Sequence, residues 1–124
     1  MAVLDESYLV GKIVEVNYFT ARALLISDLN SKIPVGIEPG NIQSILSGTG
    51  KQNGKIEYLE TEVEIDDKSI VYTSGSGGIF KSGIPIGIYN KENTNLKEEE
   101  KIIFFSKLSQ LTFVKLVEFE EVEN

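Results

Sequence analysis

The residues most able to do chemistry lie in one short stretch, residues 73 to 80, with the sequence TSGSGGIF. It holds three glycines and two serines in eight positions and ends on a large aromatic side chain. Such a run can present a nucleophilic serine on a tight turn, cradle a phosphate with backbone amides, or supply a backbone that needs positive φ angles. Each interpretation requires different partner residues elsewhere in the chain.

The nucleophile interpretation rests on Ser74 and Ser76, because SGSGG is close to the Gly-Asp-Ser-Gly-Gly sequence around the nucleophile of trypsin-like proteases. A serine hydroxyl needs a base that takes its proton, and histidine usually has that role. The chain contains no His and no Cys. Lys81 and Lys68 are near in sequence, but a lysine base needs burial to lower its pKa, and both are predicted to lie in polar turns. The sequence therefore predicts a protein that is not an enzyme.

Phosphate and metal sites are not indicated by the other candidate motifs. GTGK at 48–51 lacks the glycine five positions before Gly50 and the Ser or Thr after Lys51 that a P-loop requires. The glycines of residues 73–80 do not have the spacing of a dinucleotide fingerprint. EIDDKS at 64–69 lacks the alternating oxygen ligands of a calcium loop and is predicted to be a solvated turn. We therefore expect no cofactor and no metal.

The third interpretation makes the stretch a structural turn. A strand is predicted to end at Thr73, and the glycines that follow permit a tight reversal of the chain. Phe80 would anchor this loop by burial, which contributes about 2 kcal/mol or more. Pro85 fixes the backbone at the start of the next strand. The residues of this predicted turn, and of a possible interaction surface on it, are Thr73, Ser74, Gly75, Gly77, Gly78, Phe80, Gly83, Ile84, Pro85 and Gly87.

Size and charge restrict the kinds of partner. With 124 residues and 41% hydrophobic side chains, the chain has the length and composition of one folded domain. Its 19 acidic and 12 basic residues give a net charge of −7, which repels nucleic-acid phosphates and anionic lipid headgroups. No apolar run approaches the roughly 20 residues of a membrane-spanning helix. We therefore expect a single domain over residues 1–124 that binds no nucleic acid.

Short runs of β-branched and aromatic residues between glycine and asparagine predict an all-β sandwich or barrel. The predicted strands are Tyr8 to Val16, Ala21 to Ser27, Ile33 to Ile37, Ile42 to Leu46, Lys55 to Ile65, Ile70 to Thr73, Ile84 to Tyr89, Lys101 to Phe105 and Thr112 to Phe119. Asn53-Gly54 is the predicted turn of a hairpin, because both residues accept positive φ. The apolar positions change parity between Tyr58 and Leu59, which predicts a bulge or corner of the kind that lets a sheet close.

Helical spacing is weak and confined to two segments. NIQSILSG (41–48) and SKLSQLTF (106–113) have apolar residues at helical intervals, and we predict at most a short turn near Leu108. YNKENTNLKEEEK (89–101) is predicted to be a solvated loop between the last strands. The predicted fold class is therefore all-β.

The motifs together resemble the MreC family, the rod shape-determining proteins of bacteria. VYTSGSGGIFKSGIPIG (71–87) is similar to the family pattern Val-x-Thr-Ser-Gly-x-Gly-Gly-x-Phe-Pro-x-Gly-Ile-Pro-Val-Gly, with Lys81 in place of the proline after Phe. Other segments of the chain are also similar to the family and occur in its order and approximate spacing. They are GKIVEV (11–16), LLISDLNSKIPV (24–35), ILSGTG (45–50), YL (58–59) and LTFVKLVEF (111–119).

The resemblance implies a specific architecture and role. It implies small antiparallel β-barrels with a chymotrypsin-like six-stranded barrel topology and additional strands, forming the extracytoplasmic region of a longer protein. That protein would be anchored on the periplasmic side of the cytoplasmic membrane by a transmembrane helix absent from this chain. The implied role is a non-catalytic scaffold of the cell-elongation machinery. The implied partners are a penicillin-binding transpeptidase, MreD, MreB indirectly, and further copies of the protein.

Two alternatives stay open at this point. The chain could be a degenerate trypsin-like hydrolase or a ligand-binding β-barrel that shares the glycine-rich loop. Within the scaffold interpretation, Phe80 and Ile84 could contribute to a contact surface, although buried turn anchors are commoner than interface hot spots. We therefore favour a role for these residues in holding the barrel closed.

Overall fold

The computed structural model describes residues 2–57, 63–78, 80–111 and 114–117. The strands in these residues are β1 (Ala2–Asp5), β2 (Tyr8–Val16), β3 (Ala21–Leu25), β4 (Lys32–Glu38), β5 (Ile42–Gly48), β6 (Asn53–Glu57), β7 (Ile70–Thr73), β8 (Pro85–Tyr89), β9 (Ile102–Phe104) and β10 (Lys115–Val117). Short 3-10 turns lie at Ser76–Gly78, Glu98–Glu100 and Leu108–Gln110. The prediction of an all-β fold is confirmed.

Six of the strands form a closed antiparallel barrel in the order β4-β5-β6-β9-β8-β7. The barrel closes because β4 pairs with β5 on one side and with β7 on the other. The remaining strands form a four-stranded sheet in the order β10-β1-β2-β3. A closed six-stranded barrel with additional strands is therefore present, as predicted.

Alternation of side chains explains how the barrel fills its interior. Along β4, Ile33, Val35 and Ile37 are buried, whereas Lys32 and Glu38 at the strand ends are exposed. Side chains of a strand point alternately to the two faces, so the buried residues share the inner face. The same core continues into the open sheet. Its buried members are Ala2, Leu9, Ile26, Ile33, Val35, Ile37, Leu46, Ile56, Ile65, Val71, Phe80, Ile86, Tyr89, Ile102 and Phe104.

The sheet and the barrel are joined where the chain passes from β3 to β4. Gly48 at the end of β5 donates its amide to the carbonyl of Ser31 at 3.1 Å. A Cβ on Gly48 would lie 2.1 Å from the carbonyl oxygen of Asp28, so only glycine fits this approach. The Gly50 amide also donates to the carbonyl of Ser27 at 2.7 Å. These backbone contacts fix the sheet against the barrel.

The predicted hairpin turn at Asn53-Gly54 is wrong. Both residues lie at the start of β6, where they pair with Ile103 and Ile102 of β9. The reversal between β5 and β6 lies earlier, around Gly50, which has a φ of 82°. Asn53 instead uses its side-chain amide to donate to the carbonyl of Glu100 at 2.8 Å. Its side-chain Oδ1 also accepts from the hydroxyl of Thr49 at 3.0 Å, so the side chain braces the reversal before β6 and joins it to the segment before β9.

Several predicted strand bounds also require correction. β1 was not predicted. Of the strand predicted over 55–65, residues 55–57 are strand, 58–62 lie outside the described residues, and 63–65 are irregular. The parity change at Tyr58 and Leu59 lies outside the described residues. The strand predicted from Ile42 to Leu46 is present as β5 and extends to Gly48, with no helical turn in these residues.

The predicted loops agree with the structure in outline. Residues 90–100 join β8 to β9 and are mostly exposed, with one 3-10 turn at Glu98–Glu100. The predicted short turn near Leu108 is the 3-10 turn Leu108–Gln110. Among the described residues, no helix has the length and apolarity to cross a membrane.

Candidate functional site: the glycine-rich loop and the exposed arm

Thr73 closes the glycine-rich loop, residues 74–82, with four hydrogen bonds. Its amide donates to the carbonyl of Ile84 at 2.9 Å, and its carbonyl accepts from the amide of Gly83 at 2.8 Å. Its hydroxyl donates to the carbonyl of Lys81 at 2.6 Å and accepts from the amide of Ile84 at 2.9 Å. Thr73 is fully buried. One side chain therefore ties both ends of the loop together inside the fold.

Three glycines of the loop, Gly75, Gly77 and Gly78, have the positive φ angles that this reversal needs. Gly75 has a φ of 80°, and a Cβ there would lie 3.1 Å from the Cβ of Ser82 across the loop. Gly77 has a φ of 77° and no heavy atom within 4 Å of an added Cβ. L-residues rarely adopt such angles, so backbone conformation requires glycine at these positions, and at Gly75 close packing adds to that requirement.

The remaining motif residues connect the loop to the barrel. Phe80 is 6% exposed and belongs to the core, and Ile84 is half-buried against it. Pro85 begins β8 and Gly83, at the loop's end, has a φ of 93°. A Cβ on Gly87 would lie 2.4 Å from the carbonyl oxygen of Ile103 on the neighbouring strand β9. These residues therefore shape the passage from the loop into the barrel wall.

The two serines of the motif take part in the turn. The Ser74 amide donates to the carbonyl of Pro34 on β4 at 3.2 Å, and its hydroxyl accepts from the amide of Ser76 at 3.3 Å. Lys68 and Lys81, the lysines nearest to these serines in sequence, are both exposed. Within the described ranges, no group of three or more acidic, His or Cys side chains is placed to hold a metal ion.

A polar network braces the loop between β8 and β9. The Tyr89 hydroxyl donates to Oε1 of Glu98, and Nζ of Lys101 lies 3.2 Å from Oε2 of the same carboxylate. Lys101 is buried and also donates to the carbonyl of Lys91 at 3.0 Å. Burial, and then the bond to Glu98, raise the pKa of Tyr89, while the bonds from Tyr89 and Lys101 lower the pKa of Glu98.

A second region, at the end of the β2–β3 hairpin, is exposed along its whole length. The β2–β3 arm, residues 14–23, contains ten consecutive exposed residues at the end of the hairpin. Strand residues that are exposed on both faces have no layer packed against them, so the arm projects from the sheet. The register of β2 against β3 shifts between Ile13 and Glu15. A bulge of this kind bends and twists its strand, and it lies where the arm begins.

Two aromatic residues occupy the tip of the arm. Tyr18 is 94% exposed and Phe19 is 91% exposed. Their rings contact each other edge to face with centroids 4.9 Å apart. The flanking residues close the hairpin, since the Asn17 amide donates to the carbonyl of Thr20 at 2.7 Å. The two rings thus form one apolar tip in contact with solvent.

Turn geometry does not account for the aromatic residues. Two-residue hairpin loops prefer central residues with positive φ, such as Asn-Gly. Tyr18 and Phe19 are not among the residues with positive φ. No role was predicted for this tip from the sequence. The available signal was the adjacent pair Tyr18-Phe19 at the centre of the uncharged residues 16–21, where one predicted strand ends and the next begins.

The fold and the glycine-rich loop together define a class of protein: a small β-barrel domain in which a glycine- and serine-rich motif closes the barrel. The family model described as "Rod shape-determining protein MreC, barrel core" matches residues 1–118. The chain therefore belongs to the MreC family. The resemblance seen in the motifs is confirmed.

Individual relatives agree with this assignment. The cell shape-determining protein MreC of Caulobacter vibrioides is 34% identical over 119 residues, which cover 96% of this chain and 34% of the relative. The chain thus spans about a third of the length of that curated relative. The crystal structure of MreC from Pseudomonas aeruginosa aligns with a TM-score of 0.74 and 26% identity, over 91% of this chain and 76% of that chain.

A third relative was solved with a partner. The complex between penicillin-binding protein PBP2 and MreC from Helicobacter pylori aligns with a TM-score of 0.68 and 18% identity. The alignment covers 88% of this chain and 69% of that chain. This likeness shows that the two proteins share a fold.

Proposed function

We propose that this chain is a non-catalytic scaffold domain of the cell-elongation machinery that binds a penicillin-binding transpeptidase. One observation carries the proposal: the hydroxyl groups of Thr73 and Ser74 form hydrogen bonds that close the glycine-rich loop. The Thr73 hydroxyl both donates and accepts, and the Ser74 hydroxyl accepts. Because these hydroxyl groups form hydrogen bonds within the fold, the motif stabilises the conformation of the domain. The MreC solved with PBP2 has the same fold, which supports a transpeptidase as the partner.

The motif residues have a structural role in this proposal. Thr73, Gly75, Gly77 and Phe80 hold the reversal between β7 and β8, so that β7 can pair with β4 and complete the barrel. The rest of the motif shapes the same segment; it comprises Ser74, Gly78, Gly83, Ile84, Pro85 and Gly87. In this proposal, partners bind to exposed surfaces of the domain outside the motif.

The domain works as part of a longer protein in this proposal. Residues 1–124 belong to its extracytoplasmic region, on the periplasmic side of the cytoplasmic membrane, and the full-length protein is anchored by a transmembrane helix. The additional partners are MreD, MreB indirectly, and further copies of the protein. The support for this placement is membership of the MreC family and the short span of the chain relative to a curated relative.

A direct binding measurement tests the proposed function. The purified chain is immobilised and titrated with the extracytoplasmic domain of PBP2 from the same bacterium, with a second periplasmic protein of similar charge as the control. Saturable binding to PBP2 alone is expected. Absence of binding over the whole accessible concentration range would contradict the proposal.

A chemical probe tests the non-catalytic part of the proposal separately. A fluorophosphonate that labels activated serines is applied to the wild-type chain and to a variant with Ser74→Ala and Ser76→Ala. We expect no labelling of either protein, because the described bases near these serines are exposed lysines. Labelling of the wild type that disappears in the variant would favour a hydrolase.

A further inference from the structure

The β2–β3 arm carries an apolar tip that is exposed in the part of the chain that the structure describes. Tyr18 and Phe19 are more than nine-tenths exposed and touch each other. Val14 and Val16 on the same arm are 48% and 71% exposed. Single exposed apolar residues are common, but a group of four on one projecting hairpin is typical of a contact surface.

The charge of the arm differs from the charge of the chain. Residues 16–21 carry no charged side chain, and the arm's two charges, Glu15 and Arg22, are of opposite sign and lie opposite each other in the register. The whole chain has a net charge of −7. A neutral, aromatic arm on an acidic domain fits a partner that has an apolar groove with a basic rim, because the rim attracts the domain and the groove receives the rings.

A free sheet edge favours a protein over a lipid surface. β3 is the last strand of the order β10-β1-β2-β3, so none of the described strands pairs with its outer backbone groups. Open sheet edges do not enter hydrocarbon, because their N–H and C=O groups would be left unsatisfied there. A partner protein can pair with such an edge through its own backbone. The acidic charge of the chain also disfavours approach to anionic lipids.

We propose that the β2–β3 arm is the surface through which this domain contacts the transpeptidase, with Tyr18 and Phe19 inserted into an apolar groove on the partner. This inference rests on the proposed function and assigns it a contact site. Tyr is enriched among residues that dominate binding energy at protein interfaces, and paired aromatic rings supply large contact area with few rotatable bonds. The edge of β3 and the side chain of Arg22 extend the surface beyond the tip.

Affinity measurements test the assignment. The chain with Tyr18→Ser and Phe19→Ser is titrated with the extracytoplasmic domain of PBP2, beside the wild type and a Leu29→Ser control. Leu29 is 71% exposed and follows the opposite end of β3 from the tip. We expect the double variant to lose at least about tenfold in affinity and the control to bind as the wild type does. The association rate of the wild type should fall as salt is raised.

A labelling measurement keeps the test independent of variant stability. Since the chain contains no Cys, Tyr18→Cys and Leu29→Cys each provide one attachment site for an environment-sensitive fluorophore. Adding the PBP2 domain should shift the emission of the label at position 18 to shorter wavelength and leave the label at position 29 unchanged. The same labelled proteins are mixed with phosphatidylcholine vesicles, and no shift is expected.

The outcomes separate this inference from the proposed function. If the wild type does not bind the PBP2 domain at all, the proposed function fails and the assignment fails with it. If the wild type binds and the double variant binds equally well, the assignment is overturned while the proposed function stands. A shift of the label at position 18 with vesicles and not with PBP2 would overturn the assignment in favour of a lipid surface.

Discussion

The glycine-rich loop and the β2–β3 arm are both reversals between antiparallel strands, yet they use their residues in opposite ways. The loop places Phe80 in the core and engages the Thr73 hydroxyl as both donor and acceptor, and its exposed residues are small or polar. The arm buries none of its residues 14–23 and presents two aromatic rings to solvent. One reversal stabilises the barrel, and the other adds apolar surface that contributes little to folding.

This difference shows why a prominent sequence motif need not mark a contact site. The motif is prominent because glycine and threonine are required for backbone conformation and for internal hydrogen bonds. The arm has no motif, because exposure of an aromatic ring places few demands on its neighbours. Substitutions in the two regions should therefore separate stability from binding.

The largest expected effect is that of Phe80→Ser on stability. Removing a buried aromatic ring leaves a cavity in the core, and such truncations cost about 3–5 kcal/mol. Urea denaturation followed by far-ultraviolet circular dichroism measures the free energy of unfolding. A Phe80→Ser protein as stable as the wild type, with weakened binding to PBP2, would move Phe80 from the core to the contact surface.

Thr73→Val tests the hydrogen bonds of the loop at nearly constant volume. The change leaves the carbonyl of Lys81 and the amide of Ile84 without their side-chain partner, and each unsatisfied buried group costs about 1–3 kcal/mol. We expect a lower free energy of unfolding and faster hydrogen exchange at the Ile84 amide. Thr73→Ser, which keeps the hydroxyl, is the matched control and should retain most of the stability.

Tyr89→Phe extends the test to the polar network of the barrel, and its effect should depend on pH. The pKa of Tyr89 is raised in the folded protein, mainly by burial, so the folded state holds this proton while an unfolded tyrosine loses it near pH 10. Its contribution to stability is therefore present below pH 10 and lost as the pH rises above that value. The wild type should lose stability between pH 9 and about 11 more steeply than Tyr89→Phe.

If stability falls with pH equally steeply in the wild type and in Tyr89→Phe, Tyr89 titrates alike in the folded and unfolded states, which would contradict the prediction. Glu98→Gln is the matched control, because it removes the carboxylate that contacts Tyr89 and keeps the tyrosine. Its alkaline slope should lie between those of the wild type and Tyr89→Phe. At neutral pH, Tyr89→Phe should cost less than Thr73→Val, because Glu98 is exposed and regains water as a partner.

The smallest expected effect is that of Phe19→Ser on stability. The ring is 91% exposed, and substitutions at such sites usually change the free energy of unfolding by no more than about 0.5 kcal/mol. The same urea measurement, made beside Phe80→Ser, gives the comparison directly. A loss of several kcal/mol would mean that the arm packs against the fold and is not free for a partner.

The sequence was sufficient to predict those features that depend on local pattern. Alternation of apolar residues predicted β4 with an error of one residue at each end, and glycine spacing predicted the reversal after Thr73. Tertiary contacts account for the errors. Asn53-Gly54 has the preferred composition of a turn, but packing of Gly54 against Leu46 and Phe104 places it in a strand.

The proposed contact site was harder to predict than the fold. Exposure of Tyr18 and Phe19 follows from where the sheet ends, and a single sequence does not show which strand forms the sheet edge. The short strand β1 was missed for a similar reason, since its four residues are ordered by pairing with β2 and β10 and not by a local signal. Both features depend on contacts between distant parts of the chain.

Hydrogen exchange in the presence of the PBP2 extracytoplasmic domain tests the division between the two regions most directly. The backbone amides of the β2–β3 arm should exchange more slowly in the complex than in the free chain, and those of residues 74–78 and 80–82 should exchange at the same rate in both. Protection confined to the glycine-rich loop, with the arm unchanged, would contradict the account.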